Sequence, residues 1–219
     1  MFLKLENLLN EQEIARLREL AGQISFVDGR SSNPHSKVKT NRQADTQQPA
    51  TREASQILIG AYGRSGRFAD FALPQTVAPP LLTRYEPGMQ YGEHIDAAEI
   101  QIGNAHLRTD LSSTVFINDP ESYEGGELSI RLGDSTVEIK GKPGEAIVYP
   151  STTYHQVKPV TKGERLVAIT FIQSALADNM KREMLFELGE LYGEEAENVS
   201  WENRVRLEFV QQNLKRMWL

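Results

Sequence analysis

The run Arg84-Tyr85-Glu86-Pro87-Gly88-Met89-Gln90-Tyr91-Gly92-Glu93-His94-Ile95-Asp96 sets a histidine and a carboxylate two residues apart. Alternate residues of a strand leave the same face, so His94 and Asp96 are expected side by side. The run also lies where the chain turns to β grammar. From Leu81 onward, strands are predicted near 81–86, 91–96, 111–118, 127–132, 135–139, 145–149, 154–158 and 165–173. Turn signals separate several of them: Asn118-Asp119-Pro120, Gly125-Gly126, Leu132-Gly133-Asp134 and Lys142-Pro143-Gly144. Many short strands with few helices between them predict a double-sheet jelly roll, the double-stranded β-helix, rather than a βαβ fold.

On either side of this core the pattern is helical. Asn10 with Glu13 three residues later reads as a cap with its reciprocal acid, opening a helix that carries Ile14, Leu17 and Leu20 or Ala21 inward and ends near Gly22. From Asp28 to Ala50 the composition turns polar, which predicts a long loop and a candidate lid. Thr51 is the expected cap of a second helix through Ile57, Leu58 and Tyr62, which Gly63-Arg64-Ser65-Gly66 interrupts. After Ser174 one helix is predicted over about 178–192 with Leu185, Leu188 and Leu191 on a shared side. Ser200 caps another, bearing Leu207, Val210, Leu214 and Met217, with Trp201 and Trp218 expected first as packing anchors and second as interface residues. The organisation expected is a helical support with a polar loop over 1–80, a β core over 81–174 and a helical extension over 175–219. The whole is mainly β with flanking helices, α+β overall.

With 219 residues, 39% hydrophobic and 25% charged, the chain is long and apolar enough for one globular unit. A formal net charge of -6 argues against a general nucleic-acid binder, which needs a positive surface. The absence of cysteine removes disulfides, zinc-thiolate sites and thiol nucleophiles together. Met1-Phe2-Leu3-Lys4 runs at once into polar residues, and no stretch approaches the roughly 18 apolar residues of a membrane span. The expected setting is cytoplasmic, with no membrane partner.

The chemistry rests on distant residues. A mononuclear iron site needs two imidazoles and a carboxylate on one face, leaving the opposite positions open. His94 and Asp96 meet the local requirement, and His155, at the end of a later strand, is the best remote partner. His35 and His106 fit less well and stay open as substrate or supporting residues. Arg165 follows His155 by ten residues, and a guanidinium clamps a carboxylate through two parallel hydrogen bonds. Blander roles exist for each: His94 as a hydrogen-bonded edge residue, Arg165 as a surface strand residue.

Taken together, Tyr85-Glu86-Pro87-Gly88-Met89-Gln90-Tyr91-Gly92-Glu93-His94-Ile95-Asp96, Asn118-Asp119 with Gly125-Gly126-Glu127-Leu128, and Tyr154-His155-Gln156-Val157 through Gly163-Glu164-Arg165 resemble the 2-oxoglutarate and Fe(II)-dependent oxygenases. Within these the resemblance is to the bacterial PKHD-type hydroxylases, including iron-uptake-associated members, and it covers most of 81–173. It implies that His94, Asp96 and His155 ligate iron, that Arg165 pairs with the distal carboxylate of 2-oxoglutarate, and that Tyr85 helps hold this cosubstrate. It further implies hydroxylation of a C–H bond by molecular oxygen, with succinate and CO2 as coproducts, and L-ascorbate as a reductant used by related prolyl hydroxylases. The substrate implied is amino-acid-like, peptidyl or siderophore-related. A non-catalytic jelly-roll sensor and a non-oxidative cupin-like enzyme are the competing readings, and the terminal apolar helices raise a homodimer.

Overall fold

The computed structural model describes residues 1–33, 36–195 and 197–219; His35 lies outside them. Two β-sheets face one another. The larger runs, in spatial order, Leu3–Leu5, Ala146–Pro150, Leu111–Phe116, Arg165–Ser174, Leu81–Tyr85, Arg42–Ala44 and Phe26–Asp28, with Pro74–Val77 also paired to Arg165–Ser174. The smaller runs Ser135–Ile139, Leu128–Leu132, His155–Val157, Gln90–His94 and Lys39–Thr40. Every pairing in both is antiparallel, as the predicted jelly roll requires.

Strand alternation divides the interior in two. Leu111, Val115, Ala146, Val148, Leu166, Ala168 and Ile172 join the core beneath the helices. Their neighbours Phe116, Ile147, Tyr149 and Val167 point the other way and pack with Leu128 and Ile130 of the smaller sheet. The larger sheet is therefore covered on both faces, which explains why Leu111–Phe116 is buried throughout. Its outer face is covered by helices Glu11–Gln23, Pro49–Arg64 and Gly66–Ala72, which supply Leu17, Leu20, Leu58 and Phe68.

The capping box of Asn10 and Glu13 forms as expected, and that helix ends at Gln23, one residue past Gly22. The second helix starts at Pro49 rather than at a Thr51 cap: Pro at the first turn needs no N–H partner, and Thr51 Oγ1 instead donates to the Asp45 carbonyl. The Gly63-Arg64-Ser65-Gly66 stretch interrupts it as expected: the helix ends at Arg64, and Ser65 caps a further short helix.

Two polar segments differ from expectation. Residues 28–50 contain Lys39–Thr40 and Arg42–Ala44, which extend the smaller and larger sheets respectively, so the segment is stitched into both. The stretch before Leu111, where no strand is predicted, forms the hairpin Glu99–Ile102 with Ala105–Arg108. Gly125 and Gly126, expected as a simple turn, have φ of 73° and 69°, and Gly125 pairs with Val160. At the C-terminus Asn179–Glu195 buries Leu185 and Phe186, whereas Trp201–Trp218 buries none of its residues. Trp201 is 73% exposed and does not act as the packing anchor predicted.

Candidate active site

Gln90–His94 and His155–Val157 are adjacent strands of the smaller sheet, and His94 and His155 are direct cross-strand partners. Their rings lie 4.3 Å apart between centroids. Asp96 follows the strand rather than ending it, its backbone N–H donating to the Ser151 carbonyl. That bond turns the carboxylate toward the imidazoles, with Oδ1 3.9 Å from His94 Nε2 and Oδ2 3.7 Å from His155 Nε2. One donor atom from each of the three residues lies within 4.8 Å of the others, and two bonds of about 2 Å let one ion reach all of them.

The proton positions suit ligation. His94 Nδ1 lies 2.8 Å from the Gly92 carbonyl and His155 Nδ1 2.9 Å from the Thr153 carbonyl. A carbonyl only accepts, so in the neutral ring Nδ1 carries the hydrogen and Nε2 keeps the lone pair. Burial, and then the neighbouring His155, holds His94 down to about 4, so it is neutral at ordinary pH. Tyr91 stacks on its ring at 3.6 Å. Asp96 Oδ2 accepts from Ser112 Oγ, which lies 2.7 Å from Ser151 Oγ. This hydroxyl pair fixes the carboxylate's rotation, as supporting shells around metal ligands do.

These groups stand in a cavity of about 760 Å³ between the sheets. Arg165 lines it from the larger sheet at 1% exposure, its guanidinium 5.0 Å from the centre of the Tyr85 ring. The two residues are register partners on neighbouring strands. Arg165 Nε has no hydrogen-bond partner among the described residues. A buried cation left so calls for an anion, and a planar fork suits a carboxylate. The Tyr85 hydroxyl accepts from Asn41 Nδ2 at 2.9 Å and keeps its own proton to donate; burial pushes its pKa up, so that proton stays. The donor set and the buried guanidinium with its unpartnered Nε thus fit a ferrous ion and a dicarboxylate together.

Of the residues singled out from sequence, His94, Asp96, His155, Tyr85 and Arg165 all face this cavity. His106 does not: it sits on the exposed hairpin beside Glu99. Asn118 donates to the Glu164 carbonyl, a tie between loop and strand. Sequence reasoning missed Lys39, Asn41, Ser112 and Ser151. Its available signal was Ser112-Ser113-Thr114 inside an otherwise apolar strand. Lys39 is 4% exposed, and burial pushes its ammonium down to about 8.

A family model described as the 2OG-Fe(II) oxygenase superfamily matches residues 80–173. The chain is 48% identical over 215 residues to a PKHD-type hydroxylase of Sphingopyxis alaskensis, spanning 98% of each. It is 37% identical over 228 residues to the PKHD-type hydroxylase YbiX of Shigella dysenteriae, spanning 100% of this chain and 99% of that one. Among solved structures, an oxidoreductase of the 2OG-Fe(II) oxygenase family from Burkholderia pseudomallei shares the fold with a TM-score of 0.58 at 17% identity, over 78% of this chain and 84% of that one.

Proposed function

Because this chain belongs to the PKHD-type hydroxylases of the 2OG-Fe(II) oxygenase superfamily, and so is an Fe(II)- and 2-oxoglutarate-dependent hydroxylase, we propose a role for each cavity residue. His94, Asp96 and His155 hold the ferrous ion, Arg165 takes the distal carboxylate of 2-oxoglutarate, and Tyr85 donates to the same carboxylate. The observation that carries this reading is the buried Arg165 guanidinium, whose Nε has no hydrogen-bond partner among the described residues, in the same cavity as the three donors. When bound, the iron and keto acid supply oxidative decarboxylation coupled to hydroxylation of a C–H bond. The chain's own part is positional. The Gly92 and Thr153 carbonyls keep both Nε2 atoms free, Ser112 holds Asp96 in place, and the apolar wall around Ile169 and Phe171 limits water.

Anaerobic titration tests the assignment. Arg165→Met should weaken 2-oxoglutarate by about 10- to 100-fold while leaving metal uptake intact. Loss of His155 should abolish both. Unchanged keto-acid affinity in Arg165→Met would sink the cosubstrate assignment.

The finer readings belong to the same proposal. The substrate is amino-acid-like, peptidyl or siderophore-related, which suits a cavity with Asn33, Lys39 and Gln43 on one side and isoleucines on the other. L-ascorbate serves as the reductant that restores the iron. The chain acts as one catalytic unit, with 81–174 as its core and 1–80 and 175–219 as support, in the cytoplasm; no helix among the described residues is long and apolar enough to cross a membrane. Trp201, Val205 and Phe209, 44% to 73% exposed and four residues apart on one helical stripe, support a homodimer. Light scattering on Phe209→Glu should then report a monomer where the native chain reports a dimer.

A further inference from the structure

Lys39 lies on the strand Lys39–Thr40 at the edge of the smaller sheet, in register with Tyr91. Its ammonium donates to Ser32 Oγ at 2.7 Å and sits 5.1 Å from the centre of the Tyr91 ring, which also stacks on His94. The two carboxylates whose fields reach it are engaged elsewhere: Asp28 is forked onto Arg30, and Asp96 is bonded to Ser112 between the histidines. Among the described residues, Lys39 is thus a buried cation lining the reaction cavity whose one hydrogen-bond partner is the Ser32 hydroxyl.

Charge balance decides what it is for. On the hydroxylase reading, on which this inference rests, the ferrous ion and Arg165 are matched by Asp96 and the two carboxylates of 2-oxoglutarate. Lys39 is the charge left over. The cosubstrate is spoken for by Arg165 on the larger sheet, whereas Lys39 belongs to the smaller sheet and its ammonium lies over the ring of Tyr91, which stacks on His94. It therefore stands at the metal end of the cavity, where the group to be hydroxylated must lie.

The geometry points to Lys39 as the anchor for a carboxylate of the substrate that is hydroxylated, seated between the ammonium and the Ser32 hydroxyl beside the Tyr91–His94 stack. A monoanion neutralises the single ammonium; a phosphate dianion would carry surplus charge against a wall with low dielectric. The substrate class is thereby narrowed to carboxylic acids, free amino acids and C-terminal peptide ends among them.

The test uses the full chain loaded with Mn(II) in place of iron and with saturating 2-oxoglutarate. Acetate is titrated in, and relaxation of its methyl protons by Mn(II) is read by NMR, with acetamide as the uncharged control. The native protein should relax acetate and not acetamide. Lys39→Met should weaken acetate by about tenfold or more, and Lys39→Arg should retain it. The dissociation constant of 2-oxoglutarate should stay within about twofold in both variants. Thermal unfolding separates a binding lysine from a structural one: Lys39→Met removes an uncompensated buried charge and should melt no lower than the native protein. Acetate relaxation that survives Lys39→Met, keto-acid affinity that falls with it, or a variant that melts lower or fails to fold overturns the inference. A native protein that takes up neither Mn(II) nor 2-oxoglutarate sinks the hydroxylase reading and this inference with it.

Discussion

At the scale of single residues, each metal-facing group is held by a named partner, and those partners set the expected responses. Ser112→Ala removes the donor to Asp96 Oδ2 and should weaken metal binding by about 10- to 100-fold, measured by competition with a chelating dye. Keto-acid affinity at saturating metal should hardly change. His94 governs the pH response of the metal-free protein. Its folded pKa, about 4, lies below the ordinary 6.5, so between those values the unfolded chain binds more protons. The stability it contributes is complete above about 6.5 and is lost as pH falls toward 4. Thermal melts of metal-free protein should show that slope, and His94→Gln should flatten it. The ligands themselves were legible because their residue types and spacing are chemically restrictive. Ser112 and Ser151 were not, since a serine in a strand carries no mark of what it touches until the fold brings Asp96 beside it.

At the scale of elements, the strands and helix caps that follow periodicity were readable, and the short polar ones were not. Lys39, Asn41 and Gln43 are buried while Thr40 and Arg42 are exposed, a clean alternation. It escaped a reading based on hydrophobicity because the inward side chains are polar and line a cavity instead of a core. The glycine pair shows the same limit. A Cβ on Gly126, at φ 69°, would lie 3.0 Å from Arg165 Cδ and 2.9 Å from Val160 Cγ2. Gly126→Ala should therefore cost about 1–3 kcal/mol of stability and weaken 2-oxoglutarate several-fold, with metal uptake preserved. Calorimetry with and without the keto acid measures both.

At the scale of the molecule, the jelly roll was legible from strand count and turn spacing, whereas the share taken by the first 50 residues was not. Strands from that stretch border both sheets, because the unpaired edges of a β core accept any extended segment whose backbone reaches them. The cross-strand pairing of His94 with His155 has a consequence at this scale. A single ion there rivets together two strands whose register already slips between His155 and Val157. Chelation should speed amide hydrogen exchange in Gln90–His94 and His155–Val157 and leave Leu111–Phe116, pinned from both sides, unchanged. The catalyst and the clasp are then the same atom, so a metal-starved population is idle and also looser, and more easily cut by proteases.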